Sequence, residues 1–329
     1  MNTIVIGDGA WGTAFAMVLA DSKHTVKLFS FFPEYAEEIK EKKENYKYLP
    51  GVTIPDNIQI VNIKNFTNFE EADLIINAVP TQFVRNSFEK IKNYIKKDTP
   101  IISLSKGLEI KTEKRISQVL NELFPQNDIF VLSGPSHAEE VSKKLPTAVT
   151  LAGENKKILE DLRDEISNKY FRIYTNEDLI GVELGGALKN VIALAAGMID
   201  GLGFGDNTKS ALITRGIVEM IRLAEKEGAN FKTFYGLSGL GDLITTSISQ
   251  HGRNWNCGYQ IGKGKSLNEI LNNTNKVIEG VFTVKVTKKL CTKYNIEMPI
   301  AEKVYEVLYK NKKPYDAVIE LMTRKLKFE

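Results

Sequence analysis

Cysteine and histidine are scarce in this chain, and it carries little net charge. Cys257 and Cys291 stand far apart and form no C-x-x-C pair or Cys/His cluster. That argues against a disulfide framework and a structural zinc site, and for a reducing compartment. His24, His137 and His251 are dispersed at spacings that suit no metal, so all three read as structural or peripheral. Lysine plus arginine number 44 against 41 aspartates and glutamates. So small a surplus, scattered among acids, does not advertise a nucleic-acid or membrane partner. Long apolar runs are also missing: the longest, 184–199, is short for a membrane span and has Lys189 in its middle. Residues 3–6 read directly as a strand, with no leader-like basic and apolar regions before them. The expectation is a cytoplasmic protein without membrane insertion.

The remainder has an ordinary globular composition, 43% hydrophobic and 26% charged over 329 residues, with room for about two domains. Up to about residue 180, short β-branched runs alternate with amphipathic stretches. Strands are expected at 3–6, 26–29, 58–61, 74–78, 101–104, 129–133, 148–151 and 171–174, and helices at 11–20, 34–43, 83–95, 113–123 and 156–166. Several strands are continuously apolar, as in a parallel sheet covered on both faces. The expected fold is therefore an α/β, doubly wound, Rossmann-type sheet over 1–180. From 181 to 329 strand-like runs nearly vanish, and helices are expected at 178–197, 207–227, 281–294, 300–309 and 315–326. Glycine-rich loops at 201–205 and 236–242 punctuate an all-α second domain, with a cleft expected between the two.

Gly7-Asp8-Gly9-Ala10-Trp11-Gly12 follows the first strand and opens the first helix. In that context G-x-G-x-x-G lets backbone N–H groups approach a pyrophosphate at the positive helix end. An acid about twenty residues on usually binds a ribose 2′-hydroxyl, and an arginine a 2′-phosphate. Here Ser30, Phe31 and Phe32 occupy that place. The two aromatics could flank an adenine or simply pack on the next helix. Lys27 and Lys47 are the nearest cations. The cofactor is NAD or NADP, with NAD favoured by this segment. Asp8 is an oddity, since a carboxylate in the turn should point away from the pyrophosphate.

Lys189 is the single charge between Glu183 and Asp200, in a segment of small and apolar residues, with no acid three or four positions away. A lysine either snorkels to water or points into a site. A helix apolar on nearly every side is central, and desolvation makes an amine a usable base. Asn190 beside it offers both donors and an acceptor. Lys106 in "SLSKGLE" and Gly134, Pro135 and Ser136 in "LSGPSHAEEV" follow strand ends, where ligands of open α/β sheets collect. Asp242 follows a glycine turn, and Gly252-Arg253-Asn254 combines a guanidinium with an amide, a chemistry suited to phosphate. Equally, Asp242 could cap a helix and Arg253 could pair with an exposed acid.

"GDGAWGT", "LSKGLE", "LFPQNDIFVLSGPSHAEEV", "VELGGALKNVIALAAGMIDGLGFGDNTKSALITRG", "GLSGLGDLITT" and "GRNWNCGYQIGKG" occur in this order along the chain. Together they resemble the bacterial, soluble NAD(P)-dependent glycerol-3-phosphate dehydrogenases over essentially the whole length. The resemblance implies oxidation of sn-glycerol 3-phosphate to dihydroxyacetone phosphate and the reverse, supplying glycerol 3-phosphate for phospholipids, by a homodimer. It implies that Lys189 is the proton acceptor and that Lys106 stands where cofactor and substrate meet. Gly134, Ser136, Asp242, Gly252, Arg253 and Asn254 match substrate-binding positions. Trp11, Phe31, Ala138, Val277, Glu279 and Arg253 match cofactor positions. Departures are Ala10, where the family often has a hydroxyl residue; Phe31, where a basic residue or histidine is common; Gly252, usually serine; and His137, commonly phenylalanine.

Two other readings fit parts of the pattern. One is a different hydroxy-acid dehydrogenase, since Arg253 can also hold a carboxylate. The other is a non-catalytic, dinucleotide-binding redox sensor, against which the isolated Lys189 argues.

Overall fold

The computed structural model describes the whole chain except residues 65–68, 275, 327 and 329. It contains two compact units, Met1–Lys106 with Lys114–Glu183, and Gly107–Glu113 with Leu184–Glu329. In the first unit, β1 (Asn2–Ile6), β2 (Thr25–Ser30), β3 (Ile58–Asn62), β4 (Leu74–Asn77), β5 (Ile101–Ser103), β6 (Ile129–Ser133), β7 (Thr147–Ala152) and β8 (Phe171–Asn176) form one sheet. Their order is β3-β2-β1-β4-β5-β6-β7-β8. The first six run parallel, with the strand order reversing between β1 and β4. Such a reversal is where open α/β sheets bind ligands.

Side chains alternate along these strands between two separate cores. Val5, Leu74, Ile76 and Ile102 join one apolar cluster; Ile4, Ile6, Ile75 and Ile101 join the other. Successive strand residues face opposite ways, so the clusters lie on opposite faces of the sheet. Helices α1 (Ala10–Asp21), α2 (Pro33–Lys42) and α6 (Lys156–Ile166) cover the first face through residues such as Phe15, Ile39 and Leu162. Helices α3 (Val84–Ile91) and α4 (Ile116–Leu123) cover the second through Val84, Phe88, Val119 and Leu120. The doubly wound expectation holds, with one exception to a parallel sheet: β7 runs antiparallel to β6. The chain between them folds only the short α5 (Ala138–Val141), too little for the helical crossover that a parallel return needs. The full crossover through α6 then makes β7 and β8 parallel to each other.

The second unit is helical. Beyond α7 (Leu179–Leu202), whose first turn belongs to the first unit, it holds α8 (Asp206–Lys226), α9 (Asp242–Ile248), α10 (Arg253–Gly262), α11 (Leu267–Asn272), α12 (Glu279–Tyr294), α13 (Pro299–Tyr309) and α14 (Pro314–Met322). Helix α7 is longer than the sequence suggested, and α9 to α11 were not anticipated. Glycines at 258 and 262 lower the helix propensity of α10 by about 1 kcal/mol each, yet packing overrides it. A Cβ on Gly258 would lie 2.0 Å from the Leu194 carbonyl oxygen, so α10 lies backbone against backbone on α7. Among the described residues α7 alone is long and apolar enough to cross a membrane, and 89% of its most apolar window is buried inside the protein.

Candidate active site

In the first unit the three fingerprint glycines have distinct surroundings. Gly7 leaves β1 with φ +112°, and a Cβ there would meet the Ala78 backbone at 2.8 Å. On Gly12 a Cβ would come within 2.1 Å of the Gly7 carbonyl oxygen, so only glycine lets α1 start against this turn. A Cβ on Gly9, the N-cap of α1, would meet nothing within 4 Å. Two glycines thus serve the tight packing, and the middle one borders open space at a positive helix end. That is the shape a pyrophosphate needs, so the residues fit a dinucleotide.

Ala10 opens α1. Trp11 packs on Phe15 and Phe171 with ring centroids 5.7 and 6.4 Å away, and its Nε1 is buried without a hydrogen-bond partner among the described residues. Phe31 meets Phe29 edge-on at 5.1 Å and joins the core, whereas Phe32 is 63% exposed. Of the two aromatics, Phe32 therefore offers the freer ring. Lys27 lies 3.9 Å from Glu71, and the Lys47 Nζ lies 4.4 Å from the centre of the Tyr35 ring.

Lys106, Gly134 and Ser136 come together because β5 and β6 are neighbouring parallel strands whose C-terminal loops leave side by side. The Lys106 ammonium donates to the Gly134 carbonyl at 2.9 Å and to the Ser136 hydroxyl at 3.4 Å. Ser136 also donates to the Gly134 carbonyl at 2.9 Å. Beneath them Asn77 donates to the Ser103 and Ser105 hydroxyls, and Ser105 donates to the Val79 carbonyl. This buried network, which sequence reasoning did not single out, fixes the loop that carries Lys106. Ala138 is buried at the start of α5.

In the second unit Lys189 is 5% exposed on the central helix α7. Its Nζ donates to Asp242 Oδ1 at 2.5 Å and to Thr246 Oγ1 at 2.7 Å. Gly185 explains the meeting. It lies one turn before Lys189 on the same face, and a Cβ there would come within 2.5 Å of the Ser238 carbonyl oxygen. The π-helical turn Leu237–Gly241 consequently nests on α7 and delivers Asp242, the first residue of α9, to the amine. Thr246, one turn further along α9, was missed; its only signal was its i+4 spacing from Asp242.

A second polar group surrounds Asn190, which is 4% exposed. Its Oδ1 accepts from Asn254 Nδ2 at 2.8 Å, and Asn254 Oδ1 accepts from the Gly280 N–H at 2.9 Å. Gly252 caps α10, and the exposed Arg253 donates to the Val277 carbonyl at 2.8 Å. Glu279 is buried at the start of α12. The alternatives for the two charged candidates separate here. Asp242 heads a helix but spends its carboxylate on Lys189, and Arg253 is bonded to a carbonyl. His24 is structural: its ring bonds to Thr3 and to the Glu165 carbonyl. Among the described residues no group of three His, Cys, Asp or Glu side chains could hold a metal ion.

Residues 2–159 match the family model for the NAD-dependent glycerol-3-phosphate dehydrogenase N-terminus, and residues 178–319 match that for its C-terminus. A protein of Bacillus thuringiensis named glycerol-3-phosphate dehydrogenase [NAD(P)+] is 48% identical, over 99% of this chain and 96% of its own length. The crystal structure of glycerol-3-phosphate dehydrogenase from Coxiella burnetii superposes with a TM-score of 0.94 at 35% identity, covering 98% of this chain and 99% of that one. The corresponding Plasmodium falciparum structure gives 0.88 at 28% identity, covering 99% and 96%. The chain belongs to the NAD-dependent glycerol-3-phosphate dehydrogenase family.

Proposed function

We propose that this protein interconverts sn-glycerol 3-phosphate and dihydroxyacetone phosphate with NAD(P)(H), supplying glycerol 3-phosphate for phospholipid synthesis. The observation that carries the mechanism is the buried Lys189 amine bonded to Asp242 and Thr246. A bound nicotinamide dinucleotide would supply the hydride chemistry at C2 of the substrate, in either direction. Gly7, Gly9, Ala10, Trp11 and Gly12 would hold its pyrophosphate, and Phe31, Phe32, Ala138, Val277, Glu279 and Arg253 are proposed as further cofactor residues.

During ketone reduction the Lys189 ammonium polarises the C2 carbonyl and then hands a proton to the forming alkoxide. In alcohol oxidation the neutral amine takes the hydroxyl proton. Asp242 holds the amine in place throughout, and Thr246 restricts its swing. In the same unit Gly252, Arg253, Asn254 and Asn190 bind the substrate, with Arg253 and the N–H groups opening α10 directed to its phosphate. Binding energy from that remote group aligns the reacting carbon. Lys106, Gly134 and Ser136 form the polar, substrate-binding cluster of the first unit.

A cytoplasmic homodimer is part of the proposal; light scattering and cell fractionation test it. Initial rates with dihydroxyacetone phosphate, unphosphorylated dihydroxyacetone and 2-keto acids test the activity. Rapid turnover is expected of the phosphorylated ketone alone, and equal rates on a 2-keto acid would reject the assignment.

A further inference from the structure

The end of β2 carries no acid, yet a carboxylate stands there. Asp8, between the first two fingerprint glycines, is 8% exposed, and its Oδ2 accepts from the Ser30 hydroxyl at 2.7 Å. Ser30 is the last residue of β2 and fully buried. The parallel register pairs Ile6 with Phe29, which brings the residues just beyond both strands side by side. Both partners are fixed. The Phe32 N–H donates to Ser30 Oγ at 3.0 Å, and Asn45 Nδ2 donates to the Asp8 carbonyl and to Thr13 Oγ1, each at 2.7 Å.

Resting on the dinucleotide reading above, we infer that Asp8, held by Ser30, does the work of the missing β2 acid at the adenosine ribose and selects NAD(H) over NADP(H). In a dinucleotide fold the adenosine ribose lies between the glycine turn and the end of the second strand. An ionised carboxylate offers about four acceptor sites, so one bond from Ser30 leaves capacity for a ribose hydroxyl. A 2′-phosphate brought to the same place meets a like charge that cannot rotate away. The segment from β1 through β4 supplies no guanidinium to offset it, since the first arginine in the chain is Arg85, beyond β4. Lys47 is the competing cation: it lies close enough to Asp8 to favour the charged carboxylate, and it packs on the Tyr35 ring.

The test is equilibrium titration of the full-length protein with NADH and NADPH, followed by fluorescence or calorimetry without substrate. Burial pushes the Asp8 carboxyl above the ordinary aspartate range, so the titrations are run on the alkaline side, at about pH 8, to favour the ionised form. The wild type is expected to bind NADH at least about tenfold tighter than NADPH. Asp8→Asn keeps the shape and can still accept from Ser30 but loses the charge; it should narrow that ratio at least about fivefold, mainly by tighter NADPH binding. Ser30→Ala, which frees the carboxylate, should weaken NADH binding several-fold. A wild-type ratio near one or favouring NADPH overturns the inference, as does an Asp8→Asn ratio within about twofold of wild type. Tight NADH binding without reduction of dihydroxyacetone phosphate would instead overturn the proposed activity and leave the role of Asp8 standing.

Discussion

Lys189 Nζ and Asp242 Oδ1 lie 2.5 Å apart, although 53 residues separate them in the chain. Both side chains are almost wholly buried. Taking two charges out of water costs several kcal/mol per ion, and only their mutual attraction and added hydrogen bonds offset it. A pair of this kind is poor evidence for stabilisation and good evidence for use.

Removing the amine should therefore affect turnover and stability differently. Lys189→Met is expected to lower kcat by about two to four orders of magnitude, the usual contribution of a positioned acid–base group. It also takes the Lys189 cation away from the buried Asp242 carboxylate, which costs about 3–5 kcal/mol of stability. The double variant Lys189→Met/Asp242→Asn should recover much of that stability while staying inactive. Denaturant unfolding beside initial rates checks both halves. A folded Lys189→Met enzyme with near-normal kcat would remove Lys189 from the reaction.

Gly185 positions the pair without touching substrate. A methyl group there would press on the Ser238 carbonyl, which leads into the turn before Asp242. Gly185→Ala should cost about 1–3 kcal/mol through overpacking and should lower kcat more than it raises KM, because displacement of about 1 Å in a catalytic group can cost on the order of a hundredfold. The pH profile of kcat should shift as well, which a purely structural loss would not produce. An unaltered kcat and pH profile would mean that the turn 237–241 is free to move without carrying Asp242.

The sheet was readable because its strands are continuous β-branched runs, and strands such as β4 and β6 are buried along their whole length. Lys189 was readable because a charge in an apolar helix is conspicuous. Helix α10 was not, since its glycines look like loop until the contact with α7 is known, and α9 and α11 are only 7 and 6 residues long. Thr246 is a residue type found everywhere, and only the turn that carries Asp242 onto α7 gives it a partner. The bond between Asp8 and Ser30 depends on the β1–β2 register, so nothing in the sequence alone brings the Asp8 carboxylate to the end of β2.

Arg253 stands at the head of α10, bonded to the Val277 carbonyl and exposed. A charge-assisted contact to a phosphate contributes about 1.5–3 kcal/mol, so Arg253→Ala should raise KM for dihydroxyacetone phosphate by about ten- to a hundredfold, with a smaller change in kcat. Because this residue also matches a cofactor position, the Kd for NADH is measured alongside. An unchanged KM would transfer the phosphate to the N–H groups of α10 alone.

Glu219 on α8 gives a stability test independent of catalysis. Its carboxyl is 4% exposed and accepts from the Ile300 and Ala301 N–H groups at the start of α13. Burial nevertheless dominates and raises its pKa from 4.5 to about 7, with the two N–H groups, Arg222 and Arg324 pulling the other way. The folded state therefore holds this proton more tightly than the unfolded chain does. Its stabilising effect is complete below about pH 4.5 and disappears as pH rises through about 7. Over that window the loss amounts to about 3 kcal/mol. Glu219→Gln keeps the shape and an acceptor but cannot titrate, so the stability of wild type relative to this variant should fall between about pH 5 and 7 and level off above about pH 8. Urea unfolding across that range measures the difference. A flat difference would mean that the amides at the head of α13 compensate the buried charge completely.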